Sequence, residues 1–210
     1  MQKKWYIMIS IIGCITLCGL LIGPLMSNVE TPSYEVISKN KKIEIRLYEP
    51  MVIAEVIIDG ERKDAIGDGF RILADYIFGN NTVNKKIDMA APVQQQANEK
   101  IAMTAPVQQQ PDGTKWKVSF VMPSEYILES LPKPNNNRVL LHKIESKRFV
   151  VIRFSGKNSE KNIEKNKKKL IDYIQNNEIK VIGEPQYAFY NPPWTFPALR
   201  RNEIMFQIKQ

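Results

Sequence analysis

The chain has 210 residues, 43% hydrophobic and 25% charged; that balance excludes a disordered chain and suits one globular domain plus an appendage. Its formal charge of +8 permits contact with nucleic acid, anionic lipid or an acidic ligand and selects none of them. Both cysteines, Cys14 and Cys18, lie near the start, so the rest of the chain can hold no disulfide, thiolate nucleophile or thiolate metal site.

Trp5 to Met26 is a run of 22 residues without a charge. As a helix it would extend roughly 33 Å, enough for a bilayer core of about 30 Å. Lys3 and Lys4 precede it, and the following SNVETPSYE has no Lys or Arg; the domain is therefore expected on the extracytoplasmic side of the membrane. Residues 1–27 read as a transmembrane anchor or signal segment, and 28–210 as the domain. An uncleaved single-pass anchor is the first reading. The alternatives are a cleaved signal with a secreted domain, or a lipid anchor at Cys14 in "IIGC".

"KKIEIRLY" alternates through Ile43, Ile45 and Leu47 and predicts a half-buried strand. Glu49-Pro50 breaks it, and "MVIAEVII" (51–58) predicts another, ended by Asp59-Gly60. From Glu61 the period changes to that of a helix, with Ile66, Phe70, Leu73 and Ile77 on one stripe and Gly79-Asn80 at its exit. Gly67 and Gly69 weaken that helix and predict a close approach, by a crossing strand or a ligand.

A repeat follows: IDMAAPVQQQ (87–96) returns as IAMTAPVQQQ (101–110). Ile87, Met89, Ala91 and Ile101, Met103, Ala105 alternate in the two copies. They predict two short strands stopped by Pro92 and Pro106, with QQQANEK and QQQPDGTK as turns. "WKVSFVMP" predicts a strand with Trp116, Val118, Phe120 and Met122 on one side. "RVLLHKI" and "RFVVIRFSG" predict two more, joined at Glu145-Ser146-Lys147. Ser159 is placed to cap a second helix with Ile163, Leu170 and Ile174 inward. Ile204, Phe206 and Ile208 mark a last strand. Each half thus has paired strands, a helix and further strand. The expectation is a single α+β domain with an antiparallel sheet, two helices and pseudo-twofold halves.

Chemistry is sparse. His142 is the sole histidine, on a strand face shared with Leu140 and Ile144, so no multi-histidine metal site is possible. No phosphate-binding glycine motif or paired-carboxylate site stands out. These observations point to a non-catalytic binding module. Lys165, Lys167, Lys168 and Lys169 read as a solvated helix face. No aromatics interleave with them, so no nucleic-acid partner is expected. Met89, Met103, Phe70, Leu73, Ile77 and Trp194 in "NPPWT" are either core or the lining of a pocket for a flat hydrophobic ligand.

"KIAMTAPV" (100–107), its earlier copy "KIDMAAPV" (86–93), "YEVI" from Tyr34, "GFRILADYIFGNN" (69–81) and "YNPPWTFPALRRNEIMFQI" (190–208) resemble, in order, the signatures of the SOUL family of heme-binding proteins. The resemblance spans about residues 31–210. It implies a distorted antiparallel β-barrel with two flanking helices, similar to effector-binding domains of some bacterial regulators. It also implies non-covalent binding of heme or another tetrapyrrole in a shallow apolar groove. The matching positions are Phe70, Leu73, Ala74 and Ile77 on the first helix and Trp194 in the Pro-rich loop. The early-strand histidine of some animal members is missing from "KKIEIRLYEPMVIAEV". Arg62, Lys63, Arg71 or Arg200 could meet propionates. The alternative function is binding of another amphipathic small molecule or of an envelope protein.

Overall fold

The computed structural model describes residues 29–83 and 98–209. The anchor reading and the first copy of the repeat lie outside them. Among the described residues no helix is long and apolar enough to cross a membrane.

Eleven strands and two helices follow in order: β1 (Tyr34–Asn40), β2 (Ile43–Tyr48), β3 (Met51–Asp59), α1 (Arg62–Ile77), β4 (Asn81–Thr82), β5 (Val107–Asp112), β6 (Lys115–Val121), β7 (Lys133–Pro134), β8 (Leu140–Ile144), β9 (Lys147–Phe154), α2 (Glu160–Asn176), β10 (Val181–Phe189) and β11 (Asn202–Ile208). Nine strands make one antiparallel sheet, ordered β1-β2-β9-β11-β10-β5-β6-β3-β8, and β4 pairs with β7. The α+β class and the two helices are as expected. The edge strands β1 and β8 do not pair, so the sheet is a curled half-barrel and not a closed barrel.

The pseudo-twofold is visible in the order. β3-α1-β5-β6 and β9-α2-β10-β11 are equivalent units, meeting where β5 pairs with β10. The expected pairing within each half is corrected. β2 leads into β3 but pairs with β9, and β8 leads into β9 but pairs with β3. A two-residue hairpin needs positive φ in its turn, usually from Gly or Asn; Glu49-Pro50 and Glu145-Ser146 do not supply it.

The repeat is also corrected. Residues 101–106 are irregular, and the strand begins after Pro106 and runs through Gln108, Gln109 and Gln110. The turn is at Gly113, whose φ is +63°. Ile101 and Ala105 are buried, and Met103 is exposed. β1 and β10 are strands that alternation did not reveal.

Alternation sorts the sheet into two faces. On the outer face Ala54, Val56, Ile58, Val118 and Phe120 pack against Ala65, Leu73, Tyr76 and Ile77 of α1. Val150, Ile152, Phe154, Ile204 and Phe206 pack against Ile163, Leu170 and Ile174 of α2. Burying a side chain such as Leu73 or Leu170 contributes about 1.5–3 kcal/mol. Ser159 is the N-cap of α2, but its side chain makes no capping bond.

The two helix glycines differ. A Cβ at Gly69 would lie 2.7 Å from Val118 Cγ2, whereas one at Gly67 would meet nothing within 4 Å. Gly69 is where β6 crosses the helix. Gly69→Ala should lower stability by about 1–3 kcal/mol through overpacking. Gly67→Ala should raise it by up to about 1 kcal/mol through helix propensity. Urea denaturation of the two variants tests this, and equal shifts of one sign would contradict the packing.

Candidate functional site

The inner face of the curl carries the polar side chains. Glu55 on β3 faces Ser119 on β6 and Leu140 on β8. Ile53 faces His142, and Ser119 faces Gln108 on β5. Register places these residues together although they come from four strands. Tyr48, Met51, Lys117, Ile144, Lys147, Phe149, Gln186 and Met205 complete an open cleft of about 230 Å³. Both sides of the pseudo-twofold contribute to this wall.

The cleft has an apolar base (Ile53, Phe149, Met205) and a polar rim (Gln108, Lys117, His142, Lys147). Burial pushes the Glu55 carboxyl above its ordinary value, against the opposing pull of His142 and Lys117. Among the described residues no group of three His, Cys, Asp or Glu side chains could hold a metal ion.

One end of the inner face is closed by a buried charge cluster. Arg46 donates to both carboxylate oxygens of Glu203, at 2.9 and 3.2 Å, and to the Tyr48 hydroxyl at 3.0 Å. The Tyr190 hydroxyl and Arg201 Nε each donate to Glu203 at 2.9 Å. The Arg46 guanidinium also lies 4.2 Å from the Tyr34 ring. Arg46 and Glu203 are 1% and 0% exposed, so the pair is fully desolvated, and every partner is needed. Burial works against the Arg46 charge, but hydrogen bonding and proximity to Glu203 outweigh it and raise its pKa. Burial, then the Glu203 charge, pushes the Tyr48 hydroxyl up to about 12.

The positions singled out by resemblance lie on α1 and on the loop after β10. Leu73, Ala74 and Ile77 lie in the core against the outer face of the sheet. The apolar stripe of α1 is what attaches the helix to β3 and β6, so it is spent on packing. Phe70 sits at the edge of that contact, its ring 5.4 Å from Phe120. Trp194 is 65% exposed on the loop after β10.

Of the candidate cations, Arg71 is exposed and paired with Asp68. Arg200 is tied to the backbone of its own loop, and Lys63 is exposed. Arg62 lies on the outer face among Trp116, Tyr187 and Phe189, 5.5–5.8 Å from each ring. It donates to Gln109 at 2.9 Å. Burial pulls its pKa down. The inner cleft escaped sequence reasoning. The one available signal was the interruption of the apolar strands by Glu55 and His142.

Comparison with known proteins agrees with this architecture. The family model of the SOUL heme-binding proteins matches residues 29–207, and the chain belongs to that family. No curated protein matches it in sequence at a significant level. Among solved structures it is similar to the EcmrR C-terminal domain, with a TM-score of 0.59 at 10% identity, covering 84% of this chain and 98% of that one. It is also similar to a hydrolase from Listeria innocua, with a TM-score of 0.52 at 13% identity, covering 82% and 94%. At these identities the likeness is one of fold alone.

Two variants test the electrostatics. Glu203→Ala leaves Arg46 buried without its counter-charge and should cost about 3–5 kcal/mol in urea denaturation; a loss below about 1 kcal/mol would contradict the cluster. Glu55 titrates above its unfolded value in the folded state. The folded protein therefore holds more protons there, and the stability this gives is lost as pH rises through the folded pKa. Glu55→Gln should be more stable than the parent at neutral pH, and the gain should vanish below about pH 4, where both states are protonated. A gain independent of pH would contradict this.

Proposed function

We propose that the chain is a membrane-tethered, non-catalytic binder of a tetrapyrrole, heme or a related porphyrin, held on the inner face of the curled sheet. Family membership supports the ligand class. The observation that carries the location is the position of His142, the sole histidine, on the wall of a cleft with an apolar base. The cleft is smaller than the roughly 300–1,000 Å³ of pockets that bury most of a drug-sized ligand. A flat macrocycle would be gripped by one part and left exposed at the other.

The residues present fit such a group in kind. His142 would offer an imidazole nitrogen to the iron. Lys117 and Lys147 at the rim would meet carboxylates. Ile53, Met51, Phe149 and Met205 would contact the ring. When bound, heme would supply an iron centre and a Soret chromophore. The protein's part is to hold the ring and exclude water from one side of it. Residues 5–26 would tether the domain to the outer side of the membrane. Glu55, half-buried beside His142, favours an amphipathic cation as a second reading. Glu55→Gln would then weaken that ligand and leave hemin untouched.

Hemin titration of the full chain in lipid nanodiscs tests the reading. A saturable Soret shift is expected, altered in position and weakened about tenfold or more in His142→Ala, the range of a lost ligand or its orienting partner. It should be unchanged in Phe70→Ala and Trp194→Ala. No saturable shift would contradict tetrapyrrole binding. A shift lost in Trp194→Ala but kept in His142→Ala would move the site to the helix and loop.

A further inference from the structure

The loop between β10 and β11 carries three large apolar side chains within six residues. Trp194, Phe196 and Leu199 are 65%, 56% and 51% exposed. Such exposure on a mobile tail would mean little, but this loop is built. Pro192 and Pro193 stiffen its start. The Thr195 N–H donates to the Pro192 carbonyl at 3.1 Å and the Leu199 N–H to the Phe196 carbonyl at 2.9 Å. Arg200 Nε donates to the Thr195 carbonyl at 2.7 Å. The base is fixed to its neighbours, because the Gly156 N–H donates to the Pro197 carbonyl at 2.8 Å and the Arg201 N–H to Asn191 Oδ1 at 2.6 Å. Thr195 is buried while its neighbours Trp194 and Phe196 point out. The fold thus holds an apolar tip in solvent.

Where the chain arrives says what covers that tip. Val29 packs in one apolar cluster with Tyr190, the residue from which the loop departs. The Glu30 carbonyl accepts from the Ala105 N–H at 2.9 Å, and β5, which follows, pairs Val107 with Phe189. The start of the domain and the apolar loop are therefore at the same end of the sheet. The uncharged run ends at Met26, and three Cα steps to Val29 span about 11 Å at most. A bilayer crossed by residues 5–26 must lie against this end. Lys157, which follows Gly156 at the loop base, is exposed, as suits anionic headgroups.

We propose that Trp194, Phe196 and Leu199 form a second membrane contact, seated at the headgroup–acyl boundary of the bilayer that residues 5–26 cross. The proposal rests on the tether reading above. Trp and Phe favour that boundary. Two points of attachment hold the domain in one orientation and fix how the open cleft faces the membrane.

The test uses the full chain with Trp5→Phe, reconstituted into phosphatidylcholine–phosphatidylglycerol vesicles with and without brominated acyl chains. Trp116 and Trp194 remain, and a parallel Trp194→Phe sample isolates the Trp194 emission. Loss of most of that emission in brominated vesicles is expected, with recovery when Phe196→Ser and Leu199→Ser are introduced. Near-UV circular dichroism shows that these variants stay folded, and unfolded ones are replaced by Leu199→Ser alone. Protein that floats with the vesicles but keeps its Trp194 emission overturns the loop contact. Protein that does not float overturns the tether reading itself. Quenching that survives the serine substitutions overturns the assignment to this tip.

Discussion

Two short links decide the shape of this molecule. β2 and β3 stand six strand spacings apart in the sheet, roughly 29 Å if the sheet were flat at about 4.8 Å per spacing. Only Glu49 and Pro50 separate them in the chain, and three Cα steps reach about 11 Å. β8 and β9 are joined across the same distance by Glu145 and Ser146. The sheet must therefore curl until its two sides approach. The links run side by side, with the Ser146 hydroxyl donating to the Tyr48 carbonyl at 2.8 Å. Each half lends the other its leading strand, so neither half has a complete sheet of its own.

The curl divides the labour between the faces. The outer face is convex and covered by α1 and α2, and most of its residues are apolar. The inner face is concave, faces itself and needs no helix. There Glu55, Gln108 and His142 can stay partly hydrated while Ile53, Phe149 and Met205 close the base. At one end the Arg46–Glu203 cluster ties β2 to β11 with hydrogen bonds from Tyr190 and Arg201. A fully satisfied polar cluster of this kind is rigid, and it supports the wall carrying Tyr48 and Phe149. The strand exchange thus brings side chains of both halves to one cleft.

Much of the scaffold was legible in the sequence. The alternating strands β2, β3, β6, β9 and β11 and both helices follow from period alone, and the ordered signatures pointed to the family. β1 was not legible because it is an exposed edge strand with no buried face to pattern it. β5 was hidden by its glutamines, which are in a strand because its backbone joins β6 to β10 at the seam. β10 is interrupted by Gly183 and Pro185, with a shift of register between Ile182 and Gln186. The cleft was out of reach for a different reason. Glu55, Ser119 and His142 meet only through antiparallel register, and Arg46 and Glu203 are 157 residues apart. The helix positions carried over by resemblance were open to two readings, core or pocket lining, because an apolar stripe cannot say which of its neighbours it packs against.

The central claim is that ligand occupies the inner face and not the α1 face. Backbone amide shift mapping with diamagnetic zinc protoporphyrin measures this most directly, in the full chain held in nanodiscs. The account predicts shifts clustered at Glu55, Gln108, Ser119 and His142, with the amides of residues 70–77 and of Trp194 unmoved. Shifts confined to α1 and the Trp194 loop, with the inner strands silent, would contradict it.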